Sequence, residues 1–187
     1  MNLYLFGGSF DPPHLGHKKI IKYFIEDSDL FIISPSYHSP LKEKFPQASF
    51  EHRKNMLKLM IDKKYEDKIL IIDYESKNKS PFSVETIKYL EKKFNRFKIN
   101  MIIGSDQYNR IELWKDHEYI LNNVDLHVVS RSGAEIDKGA NSFNYVDKFS
   151  MNISSSQIRN EIRVSKHINR FLDLKVSEYI LANKLYN

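Results

Sequence analysis

Two histidines stand three positions apart, just after the first run of large apolar residues in the chain. His14 and His17 follow the pair Gly7-Gly8, which comes directly after a predicted strand at residues 2–6. Apolar residues then recur at helical spacing, so a helix is predicted to begin near Leu15. Glycines at a strand-to-helix junction let backbone N–H groups approach an anion at the positive end of the helix. Two imidazoles beside such N–H groups predict a site for phosphate oxygens.

A second candidate for phosphate binding lies far along the chain, at Ile153-Ser154-Ser155-Ser156-Gln157-Ile158-Arg159. Serine hydroxyls in front of a helical pattern cap the helix and leave N–H groups at its first turn. Arg159 follows one turn later, where its guanidinium is able to reach the same anion. Taken alone, this segment also fits an ordinary capped helix with a surface arginine, and the glycine pair also fits an ordinary turn.

Together, the two segments resemble the motifs of the nucleotidyltransferase superfamily. His14-Leu15-Gly16-His17 matches the H-x-G-H signature, and Ile153–Arg159 is similar to the I-S-S-[ST]-x-I-R element. The sequence has no G-x-G-x-x-G after its first strand and no G-x-x-x-x-G-K-[ST], so other common phosphate loops fit worse. The resemblance implies that both histidines hold the triphosphate of a nucleotide while its α-phosphate is attacked.

The composition is typical of a small enzyme. The chain has 187 residues, 41% of them hydrophobic, and no repeat or linker, which predicts a single nucleotidyltransferase domain over residues 1–187. The net charge of +5 comes from scattered lysines, which favours a solvated surface over a nucleic-acid interface. The absence of cysteine excludes disulfides and thiolate catalysis. Without a signal peptide or an apolar run of membrane-spanning length, the expected location is cytoplasmic, away from membranes.

Buried apolar runs alternate with amphipathic patterns along the chain. Further strands are predicted at residues 29–34, 68–73, 99–104 and 124–130, and further helices around residues 50–61, 84–94, 111–121 and 174–185. This order indicates an α/β fold with a doubly wound, mostly parallel, Rossmann-like sheet. Ligands of such sheets bind beyond the carboxyl ends of the strands. The strand ends near Gly7, Ser34, Gly104 and Ser130 are therefore expected to meet at one cleft.

The middle of the chain narrows the resemblance to the nicotinate-mononucleotide adenylyltransferases, which make deamido-NAD from ATP. Gly104-Ser105-Asp106 followed by Trp114 matches their G-x-D…W signature, and Arg131-Ser132-Gly133 matches their R-x-G strand end. The match runs in order along nearly the whole chain. It implies that the 5′-phosphate of a pyridine mononucleotide attacks ATP directly, with Mg²⁺ carried by the ATP phosphates and water and without metal-binding residues of the protein.

The resemblance also implies roles for single residues. His17 and His14 are expected to be catalytic, Asp106 to accept ribose hydroxyls and Trp114 to stack on the pyridine ring. The alternatives are a helix-capping aspartate and a core tryptophan. The residues expected at ATP are Gly7, Gly8, Ser9, Phe10, His14, His17, Gly104, Asp106, Ser155, Ser156 and Arg159. The residues expected at the mononucleotide are Lys42, Ser83, Trp114 and Arg131.

The sequence departs from the family in the segments that recognise the pyridine ring. Leu41 replaces a histidine, Pro81 a serine and Phe82 a tyrosine, while Ser83 keeps a hydroxyl where the family has threonine. The choice between nicotinate and nicotinamide mononucleotide is therefore left open. Pantetheine-phosphate adenylyltransferases and cytidylyltransferases share the phosphate motifs, and a nucleotide sensor or nucleic-acid-binding module without catalysis is the alternative from another class. A homo-oligomer is also left open.

Overall fold

The computed structural model describes residues 1–38, 40–41, 44–130, 142–147, 149, 153–165 and 170–187. The strands are β1 (Asn2–Gly8), β2 (Leu30–Pro35), β3 (Ile69–Ile71), β4 (Lys98–Gly104), β5 (Asp125–Val129) and β6 (Asn144–Val146). The α-helices are α1 (Leu15–Phe24), α2 (Phe50–Met60), α3 (Tyr74–Asn78), α4 (Ser83–Lys93), α5 (Ser105–Tyr108), α6 (His117–Asn123), α7 (Ser155–Ser165) and α8 (Leu174–Ala182). Short 3₁₀ helices lie at Lys63–Lys68 and Ile111–Leu113. Within these ranges, no helix has the length and apolar character needed to cross a membrane.

The six strands of the described ranges form one sheet in the order β3-β2-β1-β4-β5-β6, and each neighbouring pair is parallel. The strand order reverses between β1 and β4. The doubly wound, Rossmann-like α/β architecture predicted from the sequence is therefore confirmed. Such a reversal places the carboxyl ends of the two strands side by side, and a ligand-binding crevice forms outside them.

Both faces of the central strands β1, β2 and β4 are buried, and successive residues of a strand point to opposite sides. In β1, Tyr4 and Phe6 share one apolar cluster with α1, α2, α7 and α8. Leu3 and Leu5 share the other cluster with α4 and α6. A strand covered on both sides has no polar face, which explains why the strands are continuous apolar runs in the sequence.

One predicted helix is wrong. The apolar spacing predicts a helix around residues 111–121, but a 3₁₀ helix ends at Leu113 and α6 begins only at His117. Asp116 precedes α6 with a φ of 50°, in the left-handed region that a continuous α-helix excludes. Trp114 and Lys115 consequently lie on a connection between two short helices. Periodicity also fails to predict β6, α3 and α5, because elements of three to five residues carry too short a pattern.

Candidate active site

A cleft of about 770 Å³ opens at the carboxyl ends of the strands. Pockets of roughly 300–1,000 Å³ commonly bind small molecules, so a nucleotide fits this volume. The structure brings the following residues from the two predicted sites to its wall: Gly7, Gly8, Ser9, Phe10, His14, His17, Ser83, Gly104, Asp106, Trp114, Ser155, Ser156 and Arg159. The other two predicted residues, Lys42 and Arg131, lie outside the described ranges.

The two histidines form the capping box of α1. Nδ1 of His14 accepts the N–H of Gly16 at 3.1 Å, and Nδ1 of His17 accepts the N–H of His14 at 3.1 Å. A neutral imidazole whose Nδ1 is an acceptor carries its proton on Nε2, so this hydrogen bonding makes Nε2–H the donor of each ring. The rings stack with their centroids 3.7 Å apart and are almost fully buried. Orientation and tautomer are thus fixed by the fold.

Gly16 is required by this arrangement. A Cβ atom at this position would lie 2.9 Å from the imidazole of His14, closer than packed side chains tolerate. The packing of the His14 ring therefore explains why a glycine lies between the two histidines, independently of any ligand.

The backbone at the start of α1 is less available to an anion than the glycine junction predicts. The N–H of Leu15 donates to the carbonyl of Phe171 at 2.9 Å, and the N–H of Gly16 donates to His14. Both donors are used inside the protein, so the imidazoles are the donors that this helix offers to the cleft. The sequence could not indicate this difference, because the partner of Leu15 lies more than 150 positions away.

The serine segment opens α7 with a second capping box. Ser154 Oγ accepts the N–H of Gln157 at 3.2 Å, and Gln157 Oε1 accepts the N–H of Ser154 at 3.0 Å. Ser155 and Ser156 are then the first residues of the helix, where backbone N–H groups have no acceptor within the helix. Both serines line the cleft.

Hydrogen bonds join these two segments directly. Ser155 Oγ donates to the carbonyl of Pro12 at 2.9 Å, and Arg159 Nη1 donates to the carbonyl of Asp11 at 2.6 Å. Arg159 Nη2 also donates to Ser156 Oγ at 3.2 Å. The starts of α1 and α7 thus lie together, and we call residues 7–17 with residues 154–159 the phosphate region of the cleft.

Asp11 supports the phosphate region from within, and sequence reasoning missed it. This carboxylate is 3% exposed and accepts the N–H groups of Gln47 (2.8 Å) and Ala48 (3.0 Å) and the hydroxyl of Tyr186 (2.9 Å). Arg159 Nη1 lies 3.6 Å from its Oδ2. These contacts offset the cost of burying the charge. Burial and the Asp11 carboxylate raise the pKa of Tyr186, so its hydroxyl keeps the proton that it donates.

Arg53 holds the same loop from the other side. Its Nη1 donates to the carbonyl of Ser9 at 2.7 Å and its Nε to the carbonyl of Ala48 at 3.3 Å. Burial lowers the pKa of this guanidinium. The neighbouring Phe10 has a φ of 49°, a conformation that a non-glycine residue keeps only where its surroundings hold it. In the sequence, Arg53 lies in the helix predicted around residues 50–61, and this pattern gives no indication of the contact.

The rest of the cleft wall is aromatic and more open. Phe82, Leu113 and Trp114 line it together with Ser83, the first residue of α4. Trp114 is half-buried, so its indole is available to a flat ligand and is not enclosed in the core. Lys115 Nζ lies 4.5 Å from the centroid of the Phe82 ring. We call residues 81–83 with residues 113–115 the aromatic region.

Strand β4 adds Gly104 and Asp106 to the wall. Gly104 is the N-cap of α5, so Asp106 is not the capping residue that the alternative interpretation expects. Gln107 Nε2 donates to Asp106 Oδ2 at 3.1 Å. A carboxylate held at the cleft surface in this way suits the hydroxyls of a ribose.

Glu75 is a further cleft residue that sequence reasoning did not select. Its carboxylate is 6% exposed and accepts the N–H of Tyr37 at 3.1 Å. Burial raises its pKa to about 7, although the N–H of Tyr37, the Thr86 hydroxyl, the Arg53 charge and the Ser34 hydroxyl act in the opposite direction. It lies in the first turn of α3, a helix too short to be predicted from its periodicity. Near neutral pH, this side chain titrates within the cleft.

The chain is similar to known proteins over most of its length. The family model described as cytidylyltransferase-like matches residues 5–161. A curated relative from Campylobacter jejuni, named as a nicotinate-nucleotide adenylyltransferase, is 36% identical over 170 residues, which cover 89% of this chain and 90% of the relative. A relative of the same name from Leptospira interrogans is 34% identical over 194 residues, covering 98% of this chain and 96% of the relative.

Solved structures share the fold. The nicotinic acid mononucleotide adenylyltransferase of Plasmodium falciparum, complexed with NaAD, superposes with a TM-score of 0.79 over 99% of this chain and 97% of that chain, at 21% identity. Its complex with APC gives a TM-score of 0.77, also at 21% identity. At this level of identity, the likeness concerns the architecture of the sheet and its helices.

Proposed function

Because the chain belongs to the nicotinate-nucleotide adenylyltransferase family, we propose that it transfers the adenylyl group of ATP to nicotinate mononucleotide. The products are deamido-NAD and pyrophosphate, which places the reaction in NAD biosynthesis. The observation that carries this proposal is the meeting of two distant segments in one cleft, through the bonds of Ser155 to Pro12 and of Arg159 to Asp11. A triphosphate between these segments faces donors from both.

The chemistry needs no nucleophilic side chain, because the attacking oxygen belongs to the 5′-phosphate of the mononucleotide. It forms a bond to the α-phosphorus of ATP while the bond to the pyrophosphate oxygen breaks, and negative charge moves to the leaving group. His17 donates its Nε2–H to the α-phosphate as this charge develops, and His14 assists. The histidines thus stabilise charge and position the phosphates, and neither has to transfer a proton.

The β- and γ-phosphates are assigned to the start of α7. Ser155 and Ser156 offer first-turn N–H donors, Ser156 also offers its hydroxyl, and Arg159 offers a guanidinium already oriented by Asp11. ATP enters as its magnesium complex, with the ion held by phosphate oxygens and water.

The mononucleotide is assigned to the aromatic region. The pyridine ring stacks on Trp114, Ser83 donates at the start of α4, and Asp106 accepts ribose hydroxyls of the nucleotide substrates. Lys42 and Arg131 stay predictions from the sequence, since both lie outside the described residues.

The assay that tests this function is pyrophosphate release from ATP and Mg²⁺ with nicotinate or nicotinamide mononucleotide at equal concentration. We expect turnover with a clear preference for nicotinate mononucleotide. A preference for nicotinamide mononucleotide, the alternative that the departures at Leu41, Pro81 and Phe82 leave open, would move the enzyme to direct NAD synthesis. Turnover only with phosphopantetheine or CTP would contradict both assignments.

A further inference from the structure

Lys115 brings a positive charge to the aromatic region of the cleft. The break between Leu113 and His117 turns this residue away from a continuous helix and places it next to Trp114 at the cleft wall. Its ammonium lies over the ring of Phe82, 4.5 Å from the centroid. A lysine side chain that is 44% exposed keeps access to both solvent and ligand.

Glu85 holds the ammonium in this position, and Ser80 in turn holds Glu85. The ammonium donates to Glu85 Oε1 at 2.8 Å, and Glu85 Oε2 accepts the hydroxyl of Ser80 at 2.5 Å. The hydrogen bond raises the pKa of Lys115 and lowers the pKa of Glu85, so both stay charged at neutral pH. An ammonium has three N–H donors, and Glu85 takes one of them. A ligand in the aromatic region therefore meets an oriented cation that has donors to offer.

The neighbouring residues have lost the donors that the family resemblance leads one to expect. Pro81 has no backbone N–H, and Phe82 has no hydroxyl where the family has tyrosine. The Ser83 hydroxyl remains as a donor to a carboxylate in this region, and the Lys115 ammonium on the same wall adds a charged one.

We propose that Lys115 determines acceptor specificity by pairing its ammonium with the carboxylate of nicotinate when the pyridine ring stacks on Trp114. This inference rests on the proposed function. Nicotinamide carries a neutral amide in place of the carboxylate, so it offers no charge to the ammonium. The pair therefore acts on the choice between the two mononucleotides and leaves the adenylyl transfer itself unaffected.

Lys88 provides a matched control. Its ammonium also has a carboxylate partner, Asp116 Oδ2 at 3.3 Å, and also lies 4.5 Å from an aromatic centroid, that of Tyr119. Its side chain is 47% exposed, close to the value for Lys115, but it is not part of the cleft wall. The main difference between the two lysines is their position relative to the cleft.

The test is kcat/KM for nicotinate and nicotinamide mononucleotides at saturating magnesium ATP, in the wild type and in the variants Lys115→Met, Lys115→Arg and Lys88→Met. Loss of one charge-assisted hydrogen bond predicts that Lys115→Met lowers kcat/KM for nicotinate mononucleotide about 10-fold, through KM. The value for nicotinamide mononucleotide should stay within about 2-fold of wild type, since ligand pairing is absent there. Lys115→Arg should keep most of the preference for nicotinate mononucleotide, and Lys88→Met should keep all of this preference.

An equal loss with both acceptors, or an unchanged ratio between them, would overturn the role of Lys115. Thermal unfolding of each variant shows whether a loss comes from the fold. The proposed function fails by a different result, because it requires the wild type to turn over nicotinate mononucleotide with preference. A wild type that prefers nicotinate and a Lys115→Met variant with the same preference would overturn this inference alone.

Discussion

In the phosphate region, buried residues hold the side chains that face the ligand, whereas in the aromatic region the corresponding contacts are made at the surface. Asp11 is almost fully buried and accepts three hydrogen bonds, from the backbone of Gln47 and Ala48 and from Tyr186. Lys115 is nearly half exposed and has Glu85 as its partner. Buried charges depend on partners far more than exposed ones, so the first region tolerates little change.

This contrast separates the two tasks of the enzyme. Stabilising the charge that moves along a triphosphate requires donors fixed before the reaction starts. Choosing between two pyridine rings requires only a difference in affinity, which a few exposed side chains supply. A departure such as Phe82 or Pro81 can therefore alter the acceptor without disturbing the transfer.

The largest effect is expected for His17→Ala, which removes a donor from the phosphate region. Loss of one preorganised donor lowers kcat by about 10²–10³-fold in comparable sites. His52→Ala is the control, since the His52 ring contacts Tyr179 and is not part of the cleft wall. Steady-state kinetics, together with circular dichroism to check the fold, measures the difference. A kcat near the wild-type value would contradict the role of His17.

The second-largest effect is expected for Asp11→Asn, which tests whether the buried residues of the phosphate region tolerate substitution. An amide in place of the carboxylate brings an NH₂ group against backbone N–H donors and leaves Arg159 without its ion pair. We expect a loss of about 2–4 kcal/mol in the free energy of unfolding. Tyr186→Phe, which removes a single hydroxyl, should cost about 1 kcal/mol. Urea denaturation of both variants measures these losses in the free energy of unfolding. Equal small losses would show that the buried hydrogen bonds of Asp11 contribute little to stability.

Glu75→Gln tests a buried carboxyl group that lies near Arg53. Burial raises the pKa of Glu75 in the folded protein from 4.5, the ordinary pKa of glutamate, to about 7. The contribution of the protonated Glu75 to the free energy of unfolding is therefore complete below pH 4.5 and is lost as the pH rises through 7. The neutral glutamine avoids this loss. The variant should gain on the order of 2 kcal/mol relative to the wild type between pH 5 and pH 8. Urea denaturation at pH 5 and pH 8 measures the free energy of unfolding of both proteins. A difference between variant and wild type that is the same at both pH values would contradict the raised pKa of Glu75.

The smallest effect is expected for Arg159→Ala, since Ser155, Ser156 and both histidines still face the triphosphate. The variant should raise the KM for ATP about 10-fold with little change in kcat. Arg163→Ala is the control on the same helix, because Arg163 contacts Gln47 and Tyr186 and is not part of the cleft wall. An unchanged KM for ATP in Arg159→Ala would exclude it from phosphate binding.

The features that could be predicted from the sequence are those whose pattern lies within one short segment of the chain. The histidine pair and the serine segment each contain their own capping box, and strands β1 and β2 each contain an unbroken apolar run. Contacts between distant residues could not be predicted, such as the bonds from Tyr186 to Asp11 and from Arg53 to Ser9. The left-handed conformation of Asp116 also gives no signal in a helical pattern, although it decides where Lys115 lies.

The central claim is that the starts of α1 and α7 act as one triphosphate site. A crystal structure of the protein with magnesium and a non-hydrolysable ATP analogue tests it most directly. We predict the α-phosphate within hydrogen-bond distance, about 2.7–3.2 Å, of His17 Nε2, and the β- and γ-phosphates at the same distance from Ser155, Ser156 and Arg159. A triphosphate bound in the aromatic region, or in contact with only one of the two helices, would contradict the claim.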